Sequence, residues 1–174
     1  MNTDTAKNNI YINPLILSRI KAKQTAIHTW LNSLEGSNEL PLYSSVDVRD
    51  AGFKISVVDT NIFPAGFNNL CEHGLEDVVG LMKAAILKRV PKCQDILIIA
   101  EEHTRNTWYL ENIRILEEII TKAGFNTKIA TFLSMQPDFC ENANYAELET
   151  ATGKPVRIFC LKKLLKKFED GLQN

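Results

Sequence analysis

No sign of charge dominates this chain of 174 residues: 20 Lys and Arg stand against 21 Asp and Glu, a formal net charge of -1. Proteins that hold nucleic acid by broad electrostatics carry a strong basic excess, so that class is excluded. No apolar run approaches the roughly 18 residues that a membrane-spanning helix needs, so no membrane partner is expected. The polar start, Met1 to Lys7, lacks the basic-then-apolar layout of a signal peptide, and the cytoplasm is the expected compartment. Cysteine is sparse and scattered. Cys71, Cys93, Cys140 and Cys160 form no CxxC pair and no zinc-ligand spacing, so reduced, buried thiols and no metal centre are expected. There is no GxGxxG and no GxxxxGK[ST], and the single glycine of Thr152-Gly153-Lys154 makes no phosphate cradle.

What is present is ordinary for a folded domain, with 45% apolar and 24% charged residues, which excludes a disordered or acidic tail. At roughly 150 residues per domain the length allows one domain and an appendage. Residues 1–12 read as a flexible arm and 13–174 as a single domain. Asn13-Pro14 reads as a helix start, and Ile16, Ile20, Ile27, Trp30, Leu31 and Leu34 keep helical spacing to a stop near Glu35-Gly36. Two short β-type runs follow, Tyr43 to Val48 and Phe53 to Val58, then a turn-forming loop from Asp59 to Asn69. Leu75, Val78, Val79, Met82, Ile86 and Leu87 mark a second helix up to Pro91. The unbroken apolar run from Asp95 to Ala100 suits a strand buried on both faces of a parallel sheet. A helix from Thr107 to Ala123 ends at Gly124, and Phe125 to Phe132 is a further strand. Tyr145–Thr150 and Pro155–Leu161 flank a probable turn, and Leu161, Leu164, Leu165 and Phe168 line a short helix whose other face carries lysines. The order predicts an α/β fold: a three-layer, Rossmann-like domain with a mostly parallel sheet, closed by a C-terminal hairpin and short helix.

In open α/β sheets, ligands sit beyond the carboxyl ends of strands, and two polar clusters fall there. In the first, strand alternation sets Asp47 and Arg49 on one face. There they either pair with each other or grip a zwitterion, Arg49 taking its carboxylate by two bonds and Asp47 its ammonium. Asn61, Asn68 and Asn69 suit an amino-acid backbone, because side-chain amides both donate and accept; they equally suit turns. Phe63 and Phe67 read as loop anchors. The second cluster, Glu101 to Asn106, leads into a helix. Arg105 and Asn106 lie where exposed backbone amides favour an anion. Glu101, Glu102 and His103 are too close in sequence to converge readily on a metal. His28 and His73 read as surface or helix-start residues, and no serine or cysteine has a base partner at readable spacing.

The string SVDVRDAGFKISVVDTNIFPAGFNNL, residues 45 to 70, resembles the N-terminal signature of the proteobacterial type of glutamate–cysteine ligase. EEHTRNTWYLENI, residues 101 to 113, resembles that family's HTRN-containing stretch. Val57 and Ala65 depart from its pattern. The resemblance implies ATP-dependent joining of the L-glutamate side-chain carboxylate to the L-cysteine amine, the first step of glutathione synthesis. It also implies an acyl-phosphate intermediate and Mg²⁺ on the triphosphate. The candidate substrate-binding residues become Asp47, Arg49, Lys54, Asp59, Asn61, Asn68, Asn69, Arg105 and Asn106. The family's chain is more than twice as long. The resemblance therefore implies a substrate-side portion, with ATP and Mg²⁺ bound outside this chain by an ATP-grasp-like region. That region would be a separate C-terminal partner, or the chain would work as a homo-oligomer. The alternative is a non-catalytic module that binds an amino acid or peptide.

Overall fold

The computed structural model describes residues 14–34, 41–52, 54–62, 66–101, 105–132 and 144–172. The arm expected over residues 1–12 lies outside them. The chain divides into two compact units, one of Met1–Leu40 with Asp47–Asp59 and the other of Pro41–Val46 with Thr60–Asn174. No helix among the described residues is long and apolar enough to cross a membrane.

In the first unit the single helix expected up to Glu35 is interrupted. α1 covers Pro14–Ala22 and α2 covers Gln24–Leu34. Between them the Lys23 N–H reaches the carbonyls of both Arg19 and Ile20 at 3.1 Å, a tightened turn that apolar spacing does not encode. Neither helix buries a residue. The strands β1 (Ser45–Asp50) and β2 (Ile55–Asn61) form a two-stranded sheet of their own. Four residues connect them, too few for a parallel crossover, so the pair is antiparallel. The turn is held locally: Gly52 N–H donates to Asp50 Oδ1 at 2.7 Å and Ala51 N–H to the Lys54 carbonyl at 3.0 Å. Gly52 takes φ +82°, a conformation that favours glycine.

The second unit runs α3 (Glu72–Arg89), β3 (Asp95–Ile99), α4 (Thr107–Lys122), β4 (Asn126–Thr131), β5 (Tyr145–Glu149), β6 (Pro155–Cys160) and α5 (Leu161–Leu172). Its sheet has the order β3-β4-β6-β5, with β3–β4 and β4–β6 parallel and β5–β6 antiparallel. The expected hairpin is therefore present, in the register Tyr145 opposite Phe159 and Glu149 opposite Pro155. The α/β class holds, and this sheet is mixed.

Alternation sorts most of the sheet's residues, though in β4 Ile129, Ala130 and Thr131 are all buried. Ile98, Ile129, Val156 and Ile158 point to one face and are buried, as are Leu110, Ile113, Leu116 and Ile120 of α4, in one core cluster with Met82 and Ile86 of α3. Each such side chain contributes about 1.5–3 kcal/mol through burial. The other face corrects the expectation for Asp95 to Ala100. Leu97 and Ile99 are 40% and 58% exposed, because β3 ends the sheet and the α3–α4 layer covers only its inner face. A continuous apolar run does not say whether its strand is central or terminal. A second correction concerns Cys160, which is disulfide-bonded, whereas Cys71 and Cys93 are free thiols. Sequence spacing does not report the Cα approach that a disulfide requires.

Candidate functional site

In the second unit three segments meet around the first turns of α4. The first is the turn of the FNN motif. Gly66 takes φ +82°, and Phe67–Asn69 forms a single 3₁₀ turn. Phe67 is the anchor expected of it: its ring is buried, set edge-on to Tyr43 with centroids 5.4 Å apart, and its N–H donates to Asn112 Oδ1 at 2.9 Å. The motif loop is thereby fixed to α4 by a buried bond that spans 45 residues of sequence. Burial, with the Tyr109 phenol nearby, pushes the Tyr43 hydroxyl up to about 12.

The second segment is the start of α4. Asn106 is its N-cap, and its Oδ1 accepts from Trp108 N–H at 3.1 Å and Tyr109 N–H at 3.2 Å. The carbonyl oxygen of this candidate ligand is thus committed to the helix. Asn106→Ala is expected to cost about 1 kcal/mol, read as a lower urea midpoint at unchanged slope. Tyr109 reaches back with its hydroxyl to accept from Glu101 N–H at 2.8 Å, tying the segment after β3 to the helix.

The third segment is the β5–β6 turn, where Thr152 Oγ1 donates to Glu111 Oε2 at 2.7 Å. Glu111 is 3% exposed, and its Oε1 accepts from Arg114 Nη2 at 2.8 Å and Nε at 3.3 Å. Burial pushes this carboxyl up, but the bonds from Arg114, Thr150 and Thr152 outweigh it and hold its pKa at about 2. Arg114 also bonds Glu118 Oε2 at 3.0 Å, and Glu118 bonds Lys122 at 2.7 Å. These charges edge an open groove of about 730 Å³ with Asn68, Trp108 and Lys154 among its walls and Leu75, Val79, Ile115 and Ile119 supplying apolar surface.

Of the residues singled out from sequence, Asn68 lines this groove. Asn69 follows it, exposed, with its Oδ1 accepting from Asn68 Nδ2 at 3.4 Å. Arg105 is exposed ahead of the α4 cap, and Asn61 is half-buried at the end of β2. Asp47, Arg49, Lys54 and Asp59 belong to the first unit, all exposed. Asp47 and Arg49 share a face of β1, and among the described residues no ion pair joins them. Glu102, His103 and Phe63 lie outside the described residues. Sequence reasoning missed Glu111, Asn112, Arg114 and Thr152. The available signals were Glu111 and Asn112 interrupting the buried series Leu110, Ile113, Leu116 of an amphipathic helix, and Arg114 three residues beyond Glu111; Thr152, 41 residues on, left none.

Residues 18–171 match the family model described as glutamate-cysteine ligase. The chain is also similar to a crystal structure from Methylobacillus flagellatus KT, of a protein provisionally named gamma-glutamylcysteine synthetase. Identity is 34% and the TM-score 0.69, over 83% of this chain and 33% of that one. The chain thus spans about a third of that protein's length. No curated protein matches it.

Proposed function

Because this chain belongs to the glutamate–cysteine ligase family, we propose that it supplies the amino-acid side of an ATP-dependent ligase. That ligase forms γ-L-glutamyl-L-cysteine, the first step of glutathione biosynthesis. The observation that carries the reading is the strand Ser45–Asp50, which presents Asp47 and Arg49 on one face, exposed and not joined to each other. A guanidinium can take the α-carboxylate of L-glutamate by two parallel bonds, and a carboxylate two residues along takes its ammonium. Lys54 and Asp59 are assigned to the same unit's binding surface. In the second unit, taken by itself, the family resemblance leaves Asn61, Asn68, Asn69, Arg105 and Asn106 as candidate substrate-binding residues. We further read the four-stranded sheet as part of a wider, Rossmann-like three-layer sheet.

The family implies ATP and Mg²⁺. Among the described residues no three His, Cys, Asp or Glu side chains converge to hold a metal ion, and Arg114 and Lys122 are already paired with glutamates. These residues do not fit a magnesium triphosphate. The charged groups of this chain bind and orient amino acid; phosphoryl transfer is assigned to residues beyond them.

A second reading, a non-catalytic module that binds an amino acid or peptide, is favoured by the same mismatch. Calorimetric titration with L-glutamate, beside ADP release with MgATP, L-glutamate and L-cysteine, tests both. Glutamate binding without ADP is expected of the isolated chain. ADP that depends on both amino acids would overturn the assignment of phosphoryl transfer to other residues. Absence of glutamate binding by a folded sample would overturn the amino-acid site itself.

A further inference from the structure

The sheet of the second unit has two edges, and they differ in kind. β5 reads YAELE and carries Glu147 and Glu149, the charged composition that keeps an edge in solvent. β3 reads DILII, with no lysine, proline or bulge to block pairing. Its hydrogen-bond parity is set at both ends: Asn126 N–H donates to the Gln94 carbonyl and Ala100 N–H to the Ala130 carbonyl, each at 2.8 Å. Even-numbered residues of β3 therefore bond to β4, and Asp95, Leu97 and Ile99 turn their N–H and C=O groups to the open edge. The same two apolar residues, Leu97 and Ile99, expose their side chains on the outer face, where Phe132 just beyond β4 is also exposed. The Asp95 carbonyl accepts from Cys93 Sγ at 3.6 Å, but among the described residues no strand pairs with this edge, so at Leu97 and Ile99 the strip presents open backbone and uncovered apolar surface together.

We propose that the β3 edge is a strand-addition site, occupied by an apolar β-strand from the part of a full-length glutamate–cysteine ligase outside the matched region. The proposal rests on the family assignment. Its occupant is chosen on length: the match takes in 83% of this chain but 33% of the Methylobacillus protein, which leaves two-thirds of that polypeptide to pack against something. A second copy of this chain is a poorer occupant. Symmetric pairing of two five-residue strands covers well under the roughly 1,000 Å² that a stable interface needs.

Backbone hydrogen exchange tests this on two proteins as they exist, this chain and the full-length Methylobacillus protein. In this chain the amides of Leu97 and Ile99 are expected to exchange freely, whereas those of Ile96 and Ile98, bonded to β4, are protected. In the full-length protein both aligned pairs are expected to be protected, the outward pair by at least 100-fold relative to this chain. Free exchange of the outward pair in both proteins overturns the proposal. So does protection already present in this chain, which would mean that another of its own segments or a second copy covers the edge; sedimentation separates those two. The readout is independent of glutamate binding. Loss of the exchange contrast with glutamate still bound removes the strand-addition site alone, and the reverse result removes only the amino-acid site.

Discussion

Glu111→Gln is expected to lower stability by about 2 kcal/mol at neutral pH and to flatten the acid-unfolding profile. The carboxylate is buried, joined to Arg114 at 2.8 Å and to Thr152 at 2.7 Å, so it holds the β5–β6 turn against α4. A neutral amide keeps the shape and part of the bonding but leaves Arg114 with Glu118 as its remaining ion-pair partner among the described residues. The pH dependence follows from the direction of the shift. The folded pKa, about 2, lies below the ordinary 4.5. The stabilisation is therefore fully present above pH 4.5 and is lost as pH falls through 2. Such a shift is worth on the order of 3 kcal/mol for the native side chain. Urea unfolding of wild type and variant at pH 7, 4 and 3 checks it. The gap should be widest at pH 7 and narrow below 4.5; a gap that stays constant with pH would show that shape, not charge, holds the turn.

Arg49→Ala is expected to weaken L-glutamate binding roughly 30-fold, about 2 kcal/mol, which is the scale of hydrogen bonds to a charged group. Because Arg49 is exposed and no ion pair holds it to Asp47, the thermal midpoint should stay where it is. Arg49→Lys restores the charge without the planar fork and should recover only part of the affinity. Calorimetry on the three proteins reads both quantities. An alanine variant that binds glutamate as well as wild type would remove Arg49 from the site.

What could be read in advance was local. The polar loop Glu101 to Asn106 ahead of an amphipathic run and Gly124 after it mark α4, and the φ of +99° at Gly124 follows, whereas the cap bonds of Asn106 do not follow from that reading. Ala151 to Lys154 marks a turn between two alternating strands, which pair as expected. The alternation that put Asp47 and Arg49 on one face needs no tertiary information at all. What escaped depends on neighbours distant in sequence. Leu97 and Ile99 look identical in a central strand and an edge strand, since only the absent neighbour distinguishes them. Glu111 breaks the apolar series of α4, but nothing nearby in sequence tells that Thr152, 41 residues on, is brought to it. The break at Lys23 turns on a balance between two acceptors that apolar spacing cannot see.

The chain leaves the second unit after Val46 and re-enters it at Thr60. Tyr43 before the exit and Phe67 after the return hold each other edge-on, and Asn112 pins the second of them. The base of the excursion is therefore clamped from inside the second unit, independently of what the excursion contains. A clamped base makes the intervening stretch modular: closure entropy grows only with the logarithm of loop length, so the stretch can be lengthened, shortened or exchanged at little cost to its host. The stretch that bears Asp47 and Arg49 is thus free to diversify while its clamp, Tyr43 against Phe67, stays the same.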